Sequence, residues 1–231
     1  MVWKTYSLKE DRIERQLEGV ILHSSSYLSR GSLLKVYTKE GLFSFFCPKK
    51  VVKSSANIPL FAQVEIVYRK KHSSLHAVQD CSFLDWRIPL REKKAPLFIA
   101  GEIAWALLQS QMPERPGARL YALCVSYLQR LPSSIYPTVF GESFLAKLLI
   151  YEGVLHLEER CRYCEKRARG LFSGISLCES HLPQGGHNFS EEAWKKLLII
   201  GRAKRYKSLE ECREKTSLYP FLKRYLQEEL R

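Results

Sequence analysis

The feature that most constrains this chain is a pair of short chelating motifs, Cys161-Arg-Tyr-Cys164 and Cys178-Glu-Ser-His181, separated by thirteen residues. Each motif fits a tight turn that directs two donor atoms at one centre, and the loop between them lets the turns meet. Three thiolates and one imidazole complete a tetrahedron, which is the composition of a structural zinc site. A catalytic zinc keeps an open position. The spacing therefore predicts a structural zinc ion held by these four side chains, and no active centre.

The other cysteines lie apart from these motifs. The total of seven is odd, and disulfides are disfavoured in the reducing cytosol. We therefore expect the isolated cysteines to be small core residues or inert thiols, and these are Cys47, Cys81, Cys124 and Cys212.

The hydropathy pattern favours a cytoplasmic protein. Residues 1–12 carry charges where a secretory signal needs an apolar core. The sequence contains no uncharged apolar run of the roughly 18 residues that a transmembrane helix needs. We expect no membrane partner.

The formal net charge of +13 favours a polyanionic partner. In the cytosol the commonest polyanion is nucleic acid. The simpler alternative is an ordinary basic protein whose lysines are solvated. The basic excess lies in the two flanks of the chain, because residues 82–157 are close to charge balance.

The N-terminal part has the period-2 alternation of short strands, which predicts a small barrel or sandwich. A five-stranded barrel of this size is typical of an OB-fold. After residue 86 the period changes, and apolar residues recur every three or four positions, as they do in helices. Ser190 is expected to cap the helix that opens with Glu191 and Glu192. The predicted strands are 18–23, 33–38, 42–47, 63–71 and 75–83, and the predicted helices are 96–111, 117–130, 139–152, 189–201 and 218–230.

These patterns predict an α+β protein with two domains. Residues 1–83 form a five-stranded OB-fold barrel that binds nucleic acid. Residues 84–231 form an all-helical domain in which a zinc-binding segment, residues 159–187, is embedded.

Catalytic motifs are missing from the sequence. It has no phosphate-binding loop, dinucleotide-binding glycine motif, nucleophile elbow or HExxH metalloprotease motif. Glu158 and Glu159 beside the first chelating pair are interpreted as surface residues. We therefore expect a protein that is not an enzyme.

Basic side chains at strand ends and loops are candidates for phosphate contacts, although solvated loop tips explain them equally well. Lys35 shares a strand face with Tyr37, an arrangement that suits single-stranded nucleic acid. Phe43 and Phe45 are better explained as barrel core than as base-stacking residues. A second basic patch surrounds the chelating pairs and suits phosphate contacts without base recognition. The candidate nucleic-acid-binding residues are Arg30, Lys35, Lys39, Lys49, Lys50, Lys53, Arg69, Lys70 and Lys71 on the barrel, and Arg162, Arg167 and Arg169 in the zinc-binding segment.

Several stretches together resemble the RecO family of bacterial recombination mediators. These are Glu18-Gly19 in the first strand, Tyr27, the hairpin Val36-Tyr-Thr-Lys-Glu-Gly41, and the late CxxC…CxxH segment. The chain departs from the family pattern at two places. Cys47-Pro-Lys-Lys50 replaces a glycine-alanine-arginine-arginine stretch, and His181 stands where a fourth cysteine is common.

The resemblance implies an N-terminal OB-fold that binds single- and double-stranded DNA and anneals complementary strands. It also implies a RecR-like partner, with which such proteins load RecA onto gaps coated by single-strand binding protein. The helical domain is then expected to bind that protein's acidic C-terminal tail, and the protein to associate with the nucleoid.

Two other functions remain open from the sequence. One is an RNA-binding OB and zinc module. The other is a zinc-dependent nuclease or deaminase, which requires an open metal site.

Overall fold

The barrel forms because five amphipathic strands each bury one face.

The computed structural model describes residues 14–28, 30–51, 58–70, 73–212 and 216–229. Two compact units are distinguished, one comprising the described residues before 39 and those from 42 to 86, the other comprising 39–41 and the described residues from 87 onward. The domain boundary at residue 83 stays a prediction. The barrel strands are β1 (Glu14–Tyr27), β2 (Gly31–Thr38), β3 (Gly41–Pro48), β4 (Gln63–Arg69) and β5 (Leu75–Asp85).

The barrel closes in the order β1-β2-β3-β5-β4. The long strand β1 pairs antiparallel with β4 along its first half and with β2 along its second half. Strands β3 and β5 are parallel, with Ser44 opposite Leu75. This closed five-stranded arrangement is OB-like and confirms the predicted fold class.

Gly19 of β1 is packed tightly against β2, opposite Thr38. A Cβ atom at this position would stand 2.5 Å from Val36 Cγ1 and 2.8 Å from the carbonyl oxygen of Tyr37. Contacts this short are not tolerated. Glycine is therefore the residue that fits at position 19, the second residue of the Glu18-Gly19 pair.

Aromatic side chains fill the barrel. Phe43 and Phe45 stack with ring centroids 5.9 Å apart, and Tyr68 lies edge-on to Phe45 at 5.2 Å. All three are buried, as is His76. The prediction that Phe43 and Phe45 belong to the core is confirmed.

The second unit is mainly helical, and it contains the predicted helices within a few residues of their expected bounds. Two short helices, Ile88–Arg91 and Tyr206–Glu210, were not predicted. The helices are α1 (Ile88–Arg91), α2 (Lys94–Ser110), α3 (Ala118–Arg130), α4 (Pro137–Tyr151), α5 (Glu191–Arg202), α6 (Tyr206–Glu210) and α7 (Tyr219–Glu229). Among the described residues, no helix is both long and apolar enough to cross a membrane.

Helix α4 is the centre of this unit and packs against α2, α3, α5, α6 and α7. Its Glu142 is fully buried and forms an ion pair with Lys196 of α5, with 2.6 Å between Oε2 and Nζ. The other carboxylate oxygen accepts hydrogen bonds from the backbone N–H groups of Leu218 (2.7 Å) and Tyr219 (3.2 Å) at the start of α7. One carboxylate therefore connects three helices.

Three short strands lie between α4 and α5. Strand β6 (Gly170–Phe172) pairs antiparallel with β7 (Ile175–Leu177) and with β8 (His187–Asn188). The hydroxyl of Ser190 accepts a hydrogen bond from the backbone N–H of Ala193 at 3.2 Å, so the predicted cap of α5 is confirmed. This small sheet gives the zinc-binding segment regular backbone geometry.

Replacing the central carboxylate tests this description of the helical unit. Glu142→Gln keeps the shape of the side chain but leaves Lys196 buried without a counter-charge, so we expect a loss of about 3 kcal/mol in the free energy of unfolding. Urea denaturation followed by circular dichroism measures it. Glu228→Gln, at an exposed ion pair with Arg224, is the control and should change stability by less than about 0.5 kcal/mol. Equal stability of the two variants would contradict the account.

Candidate metal centre and nucleic-acid interface

The four predicted ligands are positioned by two tight turns. Cys161 and Cys164 lie in a turn closed by a 2.9 Å hydrogen bond from the Cys161 backbone N–H to the Lys166 carbonyl. Cys178 directly follows β7 and opens a 3₁₀ turn (Glu179–His181), in which the His181 N–H donates to the Cys178 carbonyl at 3.0 Å. The β6–β7 hairpin between the turns brings both pairs of donors to one place.

The donor atoms have the separations of a tetrahedral metal site. His181 Nδ1 stands 3.4 Å from the sulfur atoms of Cys161, Cys164 and Cys178. The sulfur atoms of Cys164 and Cys178 are 3.7 Å apart, and all four donors lie within 4.8 Å of one another. Donors at zinc-bonding distances from one ion stand about 3.5–3.8 Å apart. The cluster can therefore hold a metal ion.

The local backbone favours the thiolate form of Cys161. Burial raises the pKa of this thiol, but hydrogen bonds from the backbone N–H groups of Cys178, Tyr163 and Cys164, together with His181, outweigh burial and lower the pKa to about 6. The backbone N–H of Lys166 also favours the thiolate of Cys164, yet burial and the neighbouring sulfur atoms raise that pKa overall. A metal ion requires deprotonated thiols, and N–H donors directed at sulfur favour that state.

The cysteines outside the cluster have raised pKa values, in contrast to Cys161. Burial raises the pKa of Cys47 and of Cys124 to about 12, and that of Cys81 to about 11. Cys212 is buried as well. These thiols are protonated at neutral pH and have the environment of core residues, in agreement with the prediction.

Nearby polar side chains have other contacts. His187 lies in β8, where its ring packs against Phe221 and Tyr225 with centroids 5.1 and 6.0 Å away. Glu159 is exposed and forms an ion pair with Arg202 at 3.2 Å. Neither side chain belongs to the cluster of four donors.

Three basic candidates on the barrel come together at one end. The backbone N–H of Lys49 donates to the carbonyl of Arg30 at 3.2 Å, which joins the β1–β2 turn to the end of β3. Lys50 follows directly, and all three side chains are exposed. We call these three residues the basic end of the barrel.

The remaining barrel candidates lie elsewhere. Lys39 is exposed in the β2–β3 turn, at the opposite end of β2 from Arg30. Half-buried Arg69 ends β4 opposite Glu14, the first residue of β1, so Arg69 and the exposed Lys70 that follows it lie toward that same opposite end. Lys35 is half-buried in mid-strand. Lys53 and Lys71 fall outside the described residues.

The proposed pairing of lysine and tyrosine on β2 does not form an open stacking surface. Tyr37 is fully buried, so its ring is not available to a base. The Nζ of Lys35 donates a 2.7 Å hydrogen bond to Ser44 Oγ on β3. Strict alternation identified their shared strand face but did not reveal that this face is covered.

The arginines of the zinc-binding segment are exposed, but two of them have an acidic partner that the sequence did not reveal. Arg167 and Arg169 form ion pairs with Glu191, at 3.6 and 3.2 Å. A hydrogen bond from Lys195, with the positive charges of Lys195 and Arg169, lowers the pKa of Glu191. Arg162 is exposed within the first chelating turn, between Cys161 and Cys164. The only hint in the sequence was the acidic first turn of α5.

Comparison with known proteins gives a consistent set of relatives, although no protein-family model matches the chain. The chain is 28% identical to the DNA repair protein RecO of Chlamydia pneumoniae over 197 residues, which cover 83% of this chain and 78% of that protein. It is also 28% identical to RecO of Chlamydia trachomatis serovar D over 204 residues, or 84% and 82% of the two chains. For RecO of Chlamydia muridarum the identity is 27% over 207 residues, or 84% and 86%.

The predicted resemblance to the RecO family is confirmed. The similarity to RecO of Chlamydia pneumoniae spans 197 residues, which is more residues than either compact unit contains. It therefore involves residues of both the barrel and the helical unit.

Metal analysis of a ligand variant tests the cluster. We expect the purified chain to carry about one zinc ion per molecule and Cys161→Ala to lose it, with a lower melting temperature because metal binding and local folding are coupled. Cys81→Ala, outside the cluster, is the control and should keep its metal. Elemental analysis and thermal denaturation of both variants give the answer. Unchanged metal content in Cys161→Ala would refute the assignment.

Proposed function

We propose that this chain is a DNA-binding mediator of recombinational repair that anneals complementary single strands. The observation that carries the proposal is the similarity to proteins named DNA repair protein RecO over more than four-fifths of the chain. An OB-like barrel with an exposed basic end supports it, because the loops of such barrels commonly bind oligonucleotides.

Annealing requires the simultaneous neutralisation of two repelling phosphate backbones and no bond chemistry. Each compact unit carries exposed cations of its own. On the barrel these are Arg30, Lys49 and Lys50, and in the zinc-binding segment they include Arg162. Two separate cationic surfaces are what a protein that binds two strands needs.

The Cys₃His cluster is proposed to hold a structural zinc ion. Four protein donors complete a tetrahedron, which leaves no position for a substrate. We therefore propose that the protein is not an enzyme, and the zinc-dependent nuclease or deaminase becomes the less favoured alternative. The zinc ion would fix the chelating turns and the arginines beside them.

The proposed partners are single- and double-stranded DNA, a RecR-like protein and the acidic C-terminal tail of single-strand binding protein. With them the chain would assist recombinase loading on coated gaps, in the cytoplasm and at the nucleoid. The names of the relatives support DNA repair as the process.

A strand-annealing assay with complementary DNA coated by single-strand binding protein tests the function. Wild-type protein should accelerate duplex formation, and Lys49→Glu combined with Lys50→Glu should reduce the rate at least about tenfold, because two phosphate contacts become repulsive. Lys93→Glu combined with Lys94→Glu makes the same charge change at exposed positions of the helical unit and is the control.

The outcome also distinguishes the alternatives. No acceleration by the wild-type protein would contradict the annealing function. Competition with RNA of matched sequence addresses the RNA-binding module, and a clear preference for RNA would favour that alternative. Equal rates for the two double variants would show that the basic end of the barrel does not contact DNA.

A further inference from the structure

The first chelating turn presents an aromatic ring to solvent. Tyr163, between Arg162 and Cys164, is 68% exposed. Within the described residues its ring contact is with His181, at 68° and with centroids 5.8 Å apart, so the two rings do not lie face to face. A large part of the Tyr163 ring is therefore accessible to a ligand.

The backbone that carries this ring is held by three hydrogen bonds. The N–H of Tyr163 itself is directed at the sulfur atom of Cys161. The N–H of Arg162 donates to the carbonyl of Ser176 in β7 at 3.1 Å, and the N–H of Cys161 donates to the carbonyl of Lys166 at 2.9 Å. A tyrosine on a fixed backbone loses little conformational entropy when its ring makes a contact.

Two cations of the same turn have no counter-charge. Arg162 and Lys166 are exposed. Within the described part of the chain neither side chain forms an ion pair, and the carboxylate of the turn, Glu165, is paired with Arg160. Arg162 and Lys166 are therefore available to an anion that comes from outside.

One accessible ring among charges suits a nucleobase better than a protein surface. The core of a protein interface is contiguous, apolar and depleted of charged residues. In the turn, the neighbours of Tyr163 on both sides are charged residues and sulfur donors, Arg160-Cys-Arg162 and Cys164-Glu-Lys166. Every nucleobase has a flat face that stacks on an aromatic ring, and the phosphates on either side of it suit nearby cations.

We propose that the ring of Tyr163 stacks on one unpaired base of single-stranded DNA while Arg162 and Lys166 contact the neighbouring phosphates. The inference rests on the proposed DNA-binding function and adds a residue that distinguishes unpaired from paired strands. A base inside a duplex is already stacked between its neighbours, so its face is not available to Tyr163. The zinc-binding segment then releases the base when a complementary strand pairs with it.

Tyr163→Ala tests the stack in the full-length protein. It should weaken the binding of a thymidine 12-mer about tenfold, which lies within the range that alanine substitution of a base-stacking residue produces. The same variant should leave the affinities for an abasic 12-mer and for a 12-base-pair duplex unchanged, because neither offers an unpaired base. Fluorescence anisotropy at one fixed salt concentration measures all three affinities.

Two further variants assign the effect to the ring. Tyr163→Phe keeps the ring and removes only the hydroxyl, so it should bind the thymidine 12-mer as the wild type does. Tyr151→Ala, at a 48% exposed tyrosine of α4 outside the zinc-binding segment, is the matched control and should also bind it normally. Each variant replaces an exposed side chain, and equal melting temperatures verify that all three are folded.

The two cations have a signature of their own. Arg162→Gln combined with Lys166→Gln should weaken binding of the thymidine and the abasic 12-mers by the same factor, because both carry the same phosphates. It should also reduce the slope of log affinity against log salt concentration by about 1.4, since each phosphate contact to a single strand contributes about 0.7. An unchanged slope would contradict the phosphate contacts.

The possible results separate this inference from the function on which it rests. Equal affinity of the wild type and Tyr163→Ala for the thymidine 12-mer overturns the stack and leaves DNA binding intact. A loss in Tyr163→Phe as large as that in Tyr163→Ala also overturns it, because the hydroxyl would then make the contact. Failure of the wild type to bind any of the three nucleic acids contradicts both proposals. An aspartate-rich peptide whose binding depends on Tyr163, with unchanged DNA affinities in Tyr163→Ala, overturns the stack in favour of a protein partner.

Discussion

The convergence of three cysteine sulfur atoms and one histidine nitrogen is the interaction on which the functional surface of the helical unit depends. It joins the 161–164 turn to the end of β7 and so fixes the β6–β7 hairpin. The backbone that follows the first turn carries Arg167 and Arg169 to Glu191 at the start of α5. The cluster of donors therefore lies on the same backbone segment that presents these two cations.

The basic end of the barrel is formed by strand pairing and a hydrogen bond between two loops. The barrel closes through the parallel β3–β5 pairing, and β1 packs tightly against β2 at Gly19. This closure fixes which loops lie at the same end of the barrel. A hydrogen bond from the Lys49 backbone N–H to the Arg30 carbonyl then joins the two loops that carry Arg30, Lys49 and Lys50. Each compact unit thus has a cationic surface of its own. A chain of this kind suits a process that brings two polyanionic strands together, which requires binding more than catalysis.

Local patterns in the sequence predicted the strands, the five longer helices, the cap at Ser190 and the four clustered donors, because each depends on neighbours within a few positions. Other features depend on residues far apart in the chain. The buried Glu142–Lys196 ion pair, the covering of Tyr37 and the pairing of Glu191 with two arginines are of this kind. Strands β6, β7 and β8 have only three, three and two residues, too few for a period to be recognised. The DNA-contacting roles of the basic residues stay predictions.

We propose that the Cys₃His cluster is a closed structural site and that DNA is bound by cations, both those beside the cluster and those at the basic end of the barrel. X-ray absorption spectroscopy at the zinc edge of the purified full-length protein tests this most directly. The account predicts three sulfur ligands at about 2.3 Å, one nitrogen ligand at about 2.0 Å and no oxygen ligand. A water or hydroxide oxygen in the first coordination shell, in place of one of the four side chains, would contradict it and would favour a zinc-dependent enzyme.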